Sequence, residues 1–221
     1  MRGYDDACGI ARALGAVGER WALLVVRELM FGPKRYIDLR RGLPTMSENV
    51  LSQRLRELER SGVLLRRRLG PPSSVWVYEL TARGRELEPV LIALARWGTR
   101  VPLDAAITAD LSVDALVFAL KTTFDAETAG ALRTTCQLRL GDDRFHADVA
   151  DGQFRVARGE IDDVDATLTA SASTLQSLVF GDRPLADAEQ AGDALIEGNR
   201  RATERLLRCF PRTVPCTPTS P

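Results

Sequence analysis

In SENVLSQRLRELERSG, residues 47–62, the apolar positions Leu51, Leu55 and Leu58 recur every three or four residues, the spacing that gathers them on one face of an α-helix. With Ser47 at zero and about 100° per residue they fall between about 20° and 80°, while Asn49, Gln53 and Arg56 fall opposite, between about 180° and 240°. Gly62 closes this helix, and its cap is contested between Ser47 and Thr45, which lies three residues before Glu48. The same periodicity predicts a helix over 8–18 through Ile10, Leu14 and Val17, and a strongly apolar one over 20–31 ended by Gly32-Pro33. A short helix over 36–42 forms around Ile37 and Leu39, closed by Gly42 and Pro44. VLLRRRL (63–69) and VWVYEL (75–80), joined by GPPSS, predict a β-hairpin. A helix over about 82–97 follows, with Leu87, Val90, Leu91, Leu94 and Trp97 on one side and Pro89 either kinking it or marking its first turn. Four helices, a hairpin and a helix are the element order of a winged helix-turn-helix.

Residues 99–110 read as a linker, and beyond them the texture changes. A helix over 112–124 precedes four predicted strands, TTCQLRL (134–140), RFHADVA (144–150), QFRVARG (153–159) and DATLTAS (165–171). GDD and DG are the turns between the first three. STLQSLVFG (173–181) and residues 188–210 read as helical, the second with a break or short strand near 192–198. The pattern predicts a multidomain α+β chain: a winged helix-turn-helix over 1–98, then over 111–211 an α+β domain with an antiparallel sheet covered by helices. Residues 212–221 read as a disordered tail.

Composition adds exclusions. Hydrophobic residues make up 45% and charged residues 27%, values of an ordinary globular protein. The longest apolar runs, WALLVV (21–26) and PVLIALA (89–95), fall short of the ~20 residues that span a bilayer. MRGYDDACG is not a secretory signal. The expectation is a cytoplasmic protein with no membrane partner. Zero net charge hides a division: residues 1–100 carry 18 basic and 11 acidic side chains, residues 101–221 carry 12 and 19. The basic half suits an acidic polymer and the acidic half does not. Four scattered cysteines without a CxxC pair, and the single histidine His146, offer neither a metal-ligand set nor a ready nucleophile–base pair. No GxSxG, GxxxxGK[ST] or GxGxxG string occurs. No catalytic residue, cofactor or metal is expected, and the chain is not expected to be an enzyme.

The polar face of 47–62 then acquires a chemistry. Asn and Gln match the edge of adenine and Arg that of guanine, and a helix fits the major groove, which makes Ser47, Asn49, Ser52, Gln53 and Arg56 the base-contact candidates. Arg66, Arg67 and Arg68 alternate between the faces of their strand, and Lys34, Arg35, Arg40 and Arg41 flank the reading helix from the other side. With Arg54, at ~340° beside the apolar stripe, these are the phosphate-contact candidates. The predicted partner is a double-stranded DNA operator.

Residues 8–98 resemble the HxlR family of bacterial winged-helix regulators, relatives of the MarR group. The matching strings are CGIARALGAVGERWALLVVRELMFGPKRYIDLRRGLP, SENVLSQRLRELERSGVLLRRR and YELTARGRELEPVLIALARWG. The resemblance implies an operator-binding transcription factor, a homodimer built from the first and last helices, here about 8–18 and 85–97. The chain departs from the family pattern at Gly9, where Pro usually follows the cysteine, and at Asn49, where Lys is frequent. Some proteins similar in this domain switch through a cysteine at the position of Cys8, a possible redox switch here, since a helix N-terminus lowers a thiol pKa.

Residues 112–210 resemble sterol-carrier-protein-like domains in the strands at 134–171 and in STLQSLVFGDRPLADAEQAGDALIEGNRRATERLL. The resemblance implies an apolar tunnel holding a lipid, a fatty acyl chain or another hydrophobic molecule. Phe118, Phe124, Leu175 and Leu178 are candidates to line it, as are Phe180, Leu206, Leu207 and Phe210. For each of them ordinary core is the stronger reading, since a hydrophobic residue on a helix is usually core. Two functions compete. One is a dimeric DNA-binding regulator whose second domain senses a hydrophobic small molecule or serves as a scaffold. The other is a lipid-binding or carrier protein that uses its first half only for dimerisation. The polar face and the basic hairpin favour the regulator, because dimerisation needs neither.

Overall fold

The computed structural model describes residues 5–101 and 110–211. Most of the expected linker and all of the expected tail lie outside these residues. The chain divides into two compact units, Met1–Leu91 and Ile92–Pro221.

The first unit begins with α1 (Gly9–Val17), whose N-terminus is capped by Cys8: its Sγ accepts from the Ala11 N–H at 3.3 Å. The next helix, α2 (Ala22–Glu28), is shorter at both ends than the 20–31 periodicity predicts. Trp21 takes a left-handed φ of 78° and Gly32 a φ of 131°, and neither conformation continues a right-handed helix. Helices α3 (Tyr36–Gly42) and α4 (Glu48–Arg60) form the helix-turn-helix. Ser47 is the cap of α4, its Oγ accepting from the Val50 N–H at 3.4 Å, so the Thr45 alternative is discarded. Leu51, Leu55 and Leu58 are at most 1% exposed, and each buried leucine contributes about 1.5–3 kcal/mol of transfer free energy. Glu28, fully buried, is paired with Arg27 and Lys34, each at 2.9 Å. Gly42 packs directly on that carboxylate, and a Cβ there would run into it.

Strands β1 (Leu64–Arg68) and β2 (Trp76–Leu80) pair antiparallel, with Lys34 adding a single bridge to Tyr78 on the far side of β2. The expected helix over 82–97 is two elements, α5 (Ala82–Arg85) and α6 (Glu88–Gly98). Pro89 is the second residue of α6, where its missing N–H has no intrahelical partner to lose.

The second unit holds α7 (Val113–Thr123), α8 (Ala126–Ala129), β3 (Thr134–Leu140), β4 (Asp143–Ala150), β5 (Gln153–Arg158) and β6 (Ala166–Ala170). It continues with α9 (Ala172–Val179), α10 (Leu185–Gln190), β7 (Ala194–Gly198) and α11 (Arg200–Arg208). The sheet order is β5-β4-β3-β6-β7. The expected α+β layering is present, but the sheet is not wholly antiparallel: β3 and β6 run parallel, with Leu138 opposite Leu168. The cause is the return from β5 to β6. Residues 159–165 run back along β3, pinned by Gln137, which donates to the carbonyls of Phe145 (2.9 Å) and Gly159 (3.2 Å) and accepts from the Ile161 N–H (3.3 Å). Side chains at alternate positions of β3, β4 and β6 (Leu138, Phe145 and Leu168 among them) are buried on the face covered by α7, α9 and α11. Buried Asp114 at the start of α7 accepts two bonds from Arg158 of β5, at 2.8 and 2.9 Å.

Candidate nucleic-acid interface

Helix α4 presents one face to the protein and the other outward. Asn49, Gln53 and Arg56 are exposed, and Ser47 remains exposed while capping the helix. Tyr36 fixes α4 against α3: its hydroxyl donates to the Glu48 carbonyl (3.1 Å) and lies 3.3 Å from Ser52 Oγ. Ser52 is thereby half-buried and shared between two roles. Gln53 Nε2 donates to Glu57 at 3.0 Å, which leaves its carbonyl oxygen as an acceptor not used by that bond. Arg56 makes no ion pair among the described residues and keeps its N–H donors open.

The basic surround divides into free and engaged groups. Arg35 donates to Asp38 at 2.8 and 3.0 Å, and that hydrogen bond, first among the causes, holds the Asp38 carboxyl below the usual carboxylate range. Arg40 is paired with Glu48, and Arg67 with Glu79. Arg41 and Arg66 form no ion pair among the described residues. Arg68 Nε donates to the Ser74 carbonyl at 3.0 Å, bracing the hairpin tip. Two phosphate candidates are corrected. The side chain of Lys34 is 13% exposed, with its ammonium on the Glu28 carboxylate. That of Arg54 is 10% exposed, ion-paired with Glu57 (2.5 Å) and Glu19 (3.4 Å). Lys34 thus neutralises a buried acid, and Arg54, itself enclosed, is held against its own chain's carboxylates and turned to no ligand. Tyr36 carries weight that the sequence reading missed; only the tertiary meeting of α3 and α4 reveals it.

The ligand candidates are only partly brought together. Leu175, Leu206, Leu207 and Phe210 line an apolar seam between the sheet and the helices whose open space is only about 10 Å³. Phe118 is buried in α7 and, like Phe124 and Phe180, is not among its walls. Phe124 instead stacks on Phe154 at 5.4 Å, and Phe210 meets Phe154 edge-on at 5.1 Å. Leu178 faces a separate surface groove with Pro184, Leu185 and Arg208. Cys8 is exposed, and its thiol lies 3.4 Å from an Asp6 oxygen. Among the described residues no helix is long and apolar enough to cross a membrane.

Comparison with known proteins agrees with this division. Residues 16–104 match the family model described as HxlR-like helix-turn-helix, and residues 102–215, just over half of the chain, match that described as alkyl sulfatase C-terminal. The second match gives that half a different family name from the sterol-carrier resemblance. The HTH-type transcriptional regulator YvaP of Bacillus subtilis, itself uncharacterised, is 37% identical over 89 residues, which are 40% of this chain and 82% of that protein. A regulator of Synechocystis, sll1512, is 39% identical over 92 residues, 42% of this chain and 68% of its own length. The structure of quinone-bound YodB from B. subtilis shares 31% identity over 40% of this chain and 93% of its own, with a TM-score of 0.36. The chain therefore belongs to the HxlR-like helix-turn-helix family, whose matched members are transcriptional regulators, and its second half to the alkyl sulfatase C-terminal family.

Proposed function

We propose that this DNA-binding regulator reads a double-stranded operator as a cytoplasmic homodimer, and that its second unit contributes binding rather than catalysis. The observation that carries the reading is the outward line of Asn49, Gln53 and Arg56 on α4, opposite a fully buried leucine stripe. Free Arg41 and Arg66 stand ready for phosphate. A gel shift on the DNA upstream of the chain's own coding region, run at two salt concentrations, tests it. Binding that weakens with salt supports the reading. No shift at either concentration defeats it and leaves the carrier alternative.

Apolar exposure supports the dimer. Ile10 (74%) and Leu14 (43%) on α1, and Val90 (53%), Leu94 (45%) and Trp97 (68%) on α6, are large side chains left in water by a single chain. Surfaces of this kind mark protein interfaces. The apolar lining of the seam between sheet and helices is what a hydrophobic ligand of the kind the sterol-carrier resemblance implies would meet, and the helices would have to part to admit it, since the open space there is only about 10 Å³. Such a ligand controls DNA binding only if it prefers one state of the dimer. A second mode of control is favoured by Cys8, an exposed thiol at the N-terminus of α1, one of the two helices assigned to the dimer. Oxidation that lowers operator affinity in the wild type but not in Cys8→Ser would support it.

A further inference from the structure

The two faces of the β1–β2 hairpin are not equivalent. The register pairs Arg66 with Tyr78 and Arg68 with Trp76, so these four share one face while Arg67 and Glu79 share the other. On the second face Arg67 is ion-paired with Glu79, and Arg85 approaches the same carboxylate at 3.6 Å. On the first, Arg66 has no acidic partner among the described residues. Its guanidinium lies over the Trp76 ring, 4.6 Å from the centroid, and Trp76 is 52% exposed. A salt bridge occupies the N–H edge of a guanidinium. A ring face supplies no lone pair, so a guanidinium held there keeps N–H donors open for a ligand. The ring contact also confines the Arg66 side chain before a ligand arrives, which lowers the ordering cost of binding one. A phosphate is the ligand that such an edge fits.

We infer that Trp76 is a positioning residue for DNA binding: it holds Arg66 as the principal phosphate contact of the hairpin, while Arg67 stays engaged with Glu79. The inference rests on the DNA-binding reading above. It breaks the apparent equivalence of three consecutive arginines, and it gives an exposed tryptophan a role other than packing.

The test uses the full chain and a mixed-sequence duplex, titrated across a salt series, since a phosphate contact does not depend on base sequence. Arg66→Ala weakens binding and lowers the slope of log K against log salt by about one. Trp76→Ala weakens binding about two- to fivefold. The double variant Arg66→Ala/Trp76→Ala binds no more weakly than Arg66→Ala alone, a coupling that general support of the hairpin would not produce. Arg67→Ala changes affinity less than Arg66→Ala. Should Trp76→Ala fail to fold, Trp76→Phe and Trp76→Leu decide the question: the ring-bearing variant binds like the wild type and the leucine variant does not. The assignment is overturned by wild-type affinity in Trp76→Ala or Trp76→Leu, by additive losses in the double variant, or by a larger loss from Arg67→Ala. A wild-type chain that shows no salt-dependent binding overturns the DNA reading itself, an outcome distinct from these.

Discussion

Basic side chains of this protein are sorted by their neighbours rather than by their type. Lys34 faces the enclosed carboxylate of Glu28, Arg54 is itself enclosed and tied to Glu57, Arg67 is tied to Glu79, and Arg41, Arg56 and Arg66 form no ion pair among the described residues. Arg54→Ala is therefore expected to lower the unfolding midpoint while leaving the salt slope of DNA binding unchanged; a slope lowered by about one would mean a phosphate contact after all. The sorting was not legible in the sequence. Glu28 precedes Lys34 by six residues across a turn, and Glu19 reaches Arg54 from the turn between α1 and α2, so no local spacing announces either pair. Cys136 shows the same dependence on surroundings. Burial, the largest cause, pushes its thiol up to about 11. The unfolded thiol titrates near its ordinary value of about 8.5, so the contribution of neutral Cys136 is complete below that pH and is lost as pH rises toward 11. The stability gap between wild type and Cys136→Ala should narrow across that range, and a gap independent of pH would contradict this.

At the scale of elements, spacing was enough wherever one helix or hairpin decides its own form. The leucine stripe, the Gly62 stop and the alternation of the strands all reappear as α4, β1 and β2. Spacing failed where the answer depends on a distant partner. The parallel β3–β6 pair follows from a return pinned by Gln137 to Gly159 and Ile161, and no periodicity within β3 or β6 encodes it. The packing of α2 against α3 gives an element-scale prediction. Gly42→Ala drives a methyl into the Glu28 carboxylate, and overpacking of this kind costs about 1–3 kcal/mol. Denaturant unfolding of the variant measures it, and stability equal to wild type would show that the helices separate freely.

For the whole molecule, the charge division was visible at once, with excess base before residue 100 and excess acid after it. The use of the apolar faces of α1 and α6 was not, because amphipathic spacing does not say whether a stripe meets its own chain or another. If those faces join two copies, Trp97→Glu should sediment as a monomer and lose operator affinity sharply, since each half-site then binds alone. A variant that stays dimeric would move the interface elsewhere. The account as a whole turns on α4 reading bases. The most direct measurement sets wild type against Gln53→Ala on a panel of operators, each altered at one base pair. The account predicts that the variant loses discrimination at one position, by ~1–3 kcal/mol, and keeps it at the others. An unchanged discrimination profile would contradict it.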